Sequence, residues 1–118
     1  LRCPFNASAF DGISFRAKGP GTIVLRVNTP RTIPPELGGV CKERCWDTHA
    51  KLFRIKEGWN EYSVRWEQLQ QGGWGTEARF DKARIQSINF TADPKLLPVD
   101  LWIDDLRFLA GTGATQKP

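Results

Sequence analysis

Apolar and polar residues alternate along most of this chain with a period of two, and the run nearest its end shows the pattern most fully. It reads Val99-Asp100-Leu101-Trp102-Ile103-Asp104-Asp105-Leu106-Arg107-Phe108. Successive side chains of a strand point to opposite faces, which assigns Leu101 and Ile103 to a core while Trp102 and Asp104 face outward. The Asp104–Asp105 step breaks the alternation. Leu106 and Phe108 return to the core only if the strand kinks or bulges near Asp105. A helix starting at an aspartate N-cap is the competing reading, but large apolar residues at β-type spacing and Gly111 soon after favour the strand.

The same period recurs upstream. In residues 12–18, Ile13, Phe15 and Ala17 share one face while Ser14, Arg16 and Lys18 share the other. Gly19-Pro20-Gly21 predicts a turn, and a second strand from Thr22 to Thr29 places Ile23, Leu25 and Val27 inward and Val24, Arg26 and Asn28 outward. Both strands thus carry an arginine on the outer face. Leu52 to Ile55 predict a strand, Lys56-Glu57-Gly58 a turn, and Glu61 to Trp66 a strand with Tyr62, Val64 and Trp66 on one face. Trp59 and Trp66, at strand edges with apolar companions, are assigned to the core or its rim. Asp81 to Ile85 predict a short turn or 3₁₀ piece, and residues 86–91 alternate again with Ile88 and Phe90 inward.

Two stretches carry no period. Residues 30–50 hold Pro30, Pro34, Pro35, Gly38, Gly39, Cys41 and Cys45 and end in Cys45-Trp46-Asp47-Thr48-His49, a long loop of the kind that is often functional. Residues 70–76 set Trp74 between glycines. Such a tryptophan either folds back over the end of the domain or is buried by a ligand. Residues 1–11 form an entry segment, and the small polar tail 111–118 is expected to be disordered. The expected fold is all-β, a β-sandwich of the jelly-roll type with two antiparallel sheets, occupying residues 1–110.

Composition agrees. The 118 residues are enough for one domain with its own core, and five Trp and seven Phe beside eight Pro and eleven Gly suit short strands joined by turns. The formal charge of +4 is spread along the chain among Asp and Glu, which argues against a nucleic-acid partner. No apolar run approaches the ~20 residues that span a bilayer, so no membrane partner is expected. Of the three cysteines, Cys41 and Cys45 are not spaced as in a zinc ribbon, and His49 is the nearest further soft ligand. A local Cys41–Cys45 disulfide in an exported, extracellular protein is favoured, which leaves Cys3 odd. There is no Ser/His/acid set and no phosphate-binding glycine loop. Asn6-Ala7-Ser8 and Asn89-Phe90-Thr91 match the glycosylation acceptor pattern, which carries little weight.

Five blocks in order, residues 3–19, 38–47, 59–69, 73–75 and 100–108, resemble the galactose-binding-like jelly rolls appended to bacterial enzymes that degrade plant polysaccharides, especially the β-glucan-binding modules. The resemblance implies non-catalytic binding of a β-1,4-linked glucan such as cellulose oligomers, xyloglucan or mixed-linkage glucan, and a glycoside hydrolase as the attached catalytic domain. Pyranose rings stack on aromatic faces and exchange hydrogen bonds with planar polar groups. On that chemistry Trp46, Trp74 and Trp102 are candidate stacking residues, and Arg16, Arg26, Asp47 and Asn89 candidate hydrogen-bonding residues.

Similar modules usually carry further strands ahead of the block at Cys3, often supplying ligands to a structural calcium ion. Asp104 and Asp105 are the candidate calcium ligands here, with backbone capping as their alternative role. An edge left bare by missing strands would favour a homodimer near Phe5 and Phe10, or else be closed by the entry segment folding back. A glycosidase or lyase acting through Asp104 and Asp105 is a weaker reading, since adjacent strand residues face opposite ways and cannot flank one bond. A protein-interaction domain presenting exposed tryptophans is a third.

Overall fold

The structure, a computed structural model, describes residues 4–92 and 101–110. The alternation in residues 12–29 continues straight through Gly19-Pro20-Gly21, so that one strand, β1 (Phe10–Asn28), replaces the two expected. Its antiparallel partner β2 (His49–Arg65) likewise runs through Lys56-Glu57-Gly58 without turning. The reason lies in the register. Lys18 faces Trp59 and Gly21 faces Ile55, so β2 holds one residue more than β1 across this interval. That extra residue is a β-bulge, and Gly58 in it has φ +78°. The bulge switches the parity of β2, and so Phe53 and Ile55 on one side and Tyr62 and Val64 on the other all lie opposite odd-numbered, inward residues of β1. Glycine and proline are the residues of bulges as well as of turns, which is why the local sequence pointed to the wrong one.

The other edge of β1 is shared end to end by β3 (Ser87–Ala92), on Ile23–Asn28, and β4 (Trp102–Ala110), on Phe10–Lys18. The break in alternation at Asp104–Asp105 is a bulge, as the pattern required. Ser14 faces Arg107 while Arg16 faces Asp104, and Asp105 takes φ +58°. Downstream of it Phe108 rejoins the core opposite Ile13, but Leu106 stays exposed on this outer strand, contrary to expectation.

Phe15 sits at the junction of the core, 5.1 Å from the rings of both Phe53 and Phe90 and 5.7 Å from Tyr62. Around it Ile13, Ala17, Ile23, Leu25, Val27, Ile55 and Val64 are buried. The layer over this face is irregular chain: Ala7 from the entry segment, and Trp66, Leu69, Phe80 and Ile85 from residues 66–86. Trp66 is buried as expected, stacked on Phe80 with its indole N–H donating to the Phe10 carbonyl at 2.7 Å. Phe5 exchanges two backbone hydrogen bonds with Ile85, and both Phe5 and Phe10 lie against the Phe108 ring within the same chain. The entry segment thus folds back over the core. The domain is all-β and antiparallel, and among the described residues its four strands form one hydrogen-bonded sheet. Cys3 and the tail 111–118 lie outside the described residues.

Candidate functional site

Because odd positions of β1 point inward throughout, the even positions and their partners make one continuous outer face. In its first half the rows are Trp59–Lys18–Trp102, Glu61–Arg16–Asp104 and Ser63–Ser14–Arg107, each read across β2, β1 and β4. Neighbouring strands lie about 4.8 Å apart, so Trp59 and Trp102 stand roughly 10 Å from each other with Lys18 between them. Both are open to solvent, at 44% and 60% exposure. The Arg16 guanidinium lies 5.7 Å from the Trp59 ring centre, a cation–π contact that steadies the indole. Trp59 was expected in the core or its rim. The contrary signal was available, since it stands three residues from inward-facing Tyr62 and so has the opposite parity.

In the second half the rows are Leu52–Val24–Thr91 and Ala50–Arg26–Asn89, followed by Asn28 beside Ser87. Beyond them the long loop closes over the end of the sheet in two 3₁₀ turns, Pro30–Thr32 and Pro35–Leu37. A groove of about 580 Å³ opens between loop and sheet, with Trp46 and Asn89 among its lining. Arg26 and Asn89 are therefore neighbours, and Trp46 joins Asn89, while Trp102 and Arg16 belong to the other half. These five predicted residues fall into two groups.

The loop bearing Trp46 is held by several ties. Cys41 and Cys45 are disulfide-bonded, and the Trp46 N–H donates to the Thr32 carbonyl at 2.7 Å. Trp46 itself takes φ +79°. Asp47 is buried, and its carboxylate accepts the backbone N–H groups of Gly72 (2.6 Å), Gly73 (2.8 Å) and Gly75 (2.9 Å). Burial alone would raise its pKa, but the N–H groups of Gly75, Gly72, Gly73 and Trp74 together outweigh that and hold the carboxyl below the ordinary value. Glycine is required at position 75, where a Cβ would lie 2.5 Å from that of Asp47. Asp47 therefore anchors one loop to another rather than facing solvent. It also fixes the segment from which Trp74 projects, 59% exposed. Nearby, buried His49 sets Nε2 3.1 Å from the Ala78 carbonyl, and burial pushes its pKa down.

Asp104 and Asp105 are committed locally. Asp104 accepts the Asp105 N–H at 2.8 Å, and Asp105 pairs with Arg107 at 2.9 Å. Among the described residues no three His, Cys, Asp or Glu side chains gather as metal ligands. The Asp105 N–H bond is a backbone contact of the kind that the capping alternative calls for at Asp104.

An antiparallel all-β domain with tryptophans standing on one sheet face and beside one groove is the class that these features define. In sequence the chain is similar to Endoglucanase 3 of Fibrobacter succinogenes (strain ATCC 19169 / S85), 38% identical over 75 residues. The match covers 61% of this chain and 11% of that protein, so the chain spans about a tenth of the relative's length. No family model and no solved structure matches the chain.

Proposed function

We propose that this domain is a non-catalytic carbohydrate-binding module that lays a β-1,4-linked glucan across the first half of its outer face and so keeps an attached glycoside hydrolase on its substrate outside the cell. The observation that carries this reading is the Trp59–Lys18–Trp102 row. Two exposed indoles, on the strands that flank β1 on either side, offer platforms for two rings of a polymer. The next row, Glu61–Arg16–Asp104, offers hydroxyl partners beside them. Similarity to a stretch of an endoglucanase supports the substrate class. A hydrolytic role finds less support, because Glu61 and Asp104 stand on an open face with Arg16 in register between them rather than facing each other across a bond.

Affinity electrophoresis through gels containing cellulose derivatives, xyloglucan and mixed-linkage glucan tests the proposal. Retardation by at least one β-glucan is expected. Trp59→Ala and Trp102→Ala should each weaken binding by about 1–3 kcal/mol, by analogy with aromatic stacking on bases, and leave circular dichroism unchanged. Native spectra with unchanged retardation in both variants would move the ligand off this face.

A further inference from the structure

The row that carries the two open indoles also carries a cation between them. Lys18 stands in register with Trp59 on one side and Trp102 on the other, exposed and on the same outer face. Arg16, one row away, is balanced: Glu61 and Asp104 flank it in register, and its guanidinium lies over the Trp59 ring. Lys18 is not. Among the described residues it enters no ion pair and no cation–π contact. Lys56 repeats the pattern on β2, exposed and with the outward parity, between the Gly19–Glu57 and Gly21–Ile55 pairs and so about 7 Å further along the sheet than Lys18. Its neighbour Glu57 is opposite Gly19 and takes the inward parity. From there toward β3 the described outer positions add Arg54 and Arg26 and no carboxylate. The acids that flank Arg16 thus lie on one side of the indole row, and cations without ion-pair partners among the described residues lie on the other.

A polymer lying from Trp59 to Trp102 crosses Lys18 and takes water from its ammonium group. Neutral hydroxyls replace part of that hydration, whereas a carboxylate also balances the charge and makes the stronger, charge-assisted kind of hydrogen bond. We propose that the open face selects a β-1,4-linked polysaccharide that carries carboxylate groups over the neutral chain, with Lys18 and Lys56 receiving a carboxylate that projects from the polymer toward the β3 side. Arg54 and Arg26 extend the same positive field and steer the polymer in. Glu61 and Asp104 repel a carboxylate on the opposite side, which fixes the edge along which the substituent lies. The proposal rests on the reading of this face as a glucan site and adds the chemical class of its ligand.

The test is titration calorimetry of the intact chain with two soluble celluloses of the same β-1,4-glucan backbone, hydroxyethylcellulose and carboxymethylcellulose, at low and at high salt. At low salt carboxymethylcellulose should bind about threefold to tenfold tighter, the worth of two exposed ion contacts, and high salt should remove most of the difference. The Lys18→Gln/Lys56→Gln variant should bring the two affinities within about twofold of each other. Lys82→Gln/Arg84→Gln removes the same charge from exposed positions on the chain that covers the opposite face, and should keep the preference. Equal affinities for the two polymers in the unaltered protein would overturn the selectivity and leave the glucan reading standing. An equal loss of preference in both variants would do the same, by assigning it to net charge alone. Tighter binding of carboxymethylcellulose that survives Trp59→Ala/Trp102→Ala would also overturn it, by moving the carboxylate off this row. No binding of either polymer would remove the glucan reading and the selectivity together.

Discussion

The two halves of the sheet share β1 but present their tryptophans by different means. In the half around residues 10–18, Trp59 and Trp102 are placed by strand register, and the Arg16 contact steadies Trp59. In the half around residues 22–28, Trp46 hangs from a loop and is placed by a disulfide, a backbone bond to Thr32 and the Asp47 anchor. A face built on strands is as robust as the core beneath it. A groove built on a loop depends on polar ties that can be cut one at a time without touching the core.

The largest effect should come from the one residue both halves share. Phe15→Ala removes the ring that meets Phe53 and Phe90 from one half and Tyr62 from the other, at a cost of about 3–5 kcal/mol. Urea unfolding should show a lower midpoint in a single transition. Two separated transitions would mean that the halves have independent cores. Asp47→Ala comes next. It leaves three backbone N–H groups without their acceptor, for a loss of about 2–3 kcal/mol. The indole signals of Trp46 and Trp74 should move while those of Trp59 and Trp102 stay, and equal movement in all four would erase the distinction between the halves.

Acid should divide the halves more gently. His49 has a lowered folded pKa, so the unfolded chain binds more protons, and its contribution to stability is whole above its ordinary value near 6.5 and declines as pH falls below it. The Asp47 carboxyl is also lowered. Its contribution is present above 3.8 and is lost as pH falls through the folded value. Melting temperature should therefore begin to fall below about pH 6.5 and fall further under about pH 4. His49→Gln should remove the first decline alone. The smallest effect belongs to the open half, where Arg16→Gln loses only the exposed cation–π contact, worth about 0.5–1 kcal/mol. It should broaden the Trp59 indole signal with little change in melting temperature, and a fall as large as that of Asp47→Ala would show Arg16 to be a structural anchor.

Much of the fold was legible because alternation survives wherever one face of a strand is buried. Ile13 through Val27, and Ile88 with Phe90, take the faces their parity gives them, and the doubled aspartate marked the β4 bulge. What sequence could not distinguish was a bulge from a turn at Gly19-Pro20-Gly21, since that choice is made by the extra residue in a partner strand more than thirty positions away. The site was legible in composition more than in arrangement. Trp102 and Trp74 are exposed as expected, whereas Trp59 was grouped with its apolar neighbours when its parity set it apart. Asp47 resembled a surface ligand because its donors lie in Gly72, Gly73 and Gly75. A glycine cluster facing a lone carboxylate is a signal for a backbone nest and was the clue available.

The sharing of one edge of β1 by β3 and β4 also sets an order of assembly. During synthesis, β1 can close on β2 once residue 65 has emerged, and β3 can follow once residue 92 has done so. The edge along residues 10–18 waits for β4, whose pairing joins Phe10 to Ala110. Through that interval a bare, twisted strand edge is exposed on every nascent chain, with Ile13, Phe15 and Ala17 along it. Domains emerge at about 5–20 residues per second, so the gap between residues 65 and 110 leaves this edge open for seconds. An unpaired edge is a template for another chain, so the half that will carry Trp102 is the half open to mispairing during this interval.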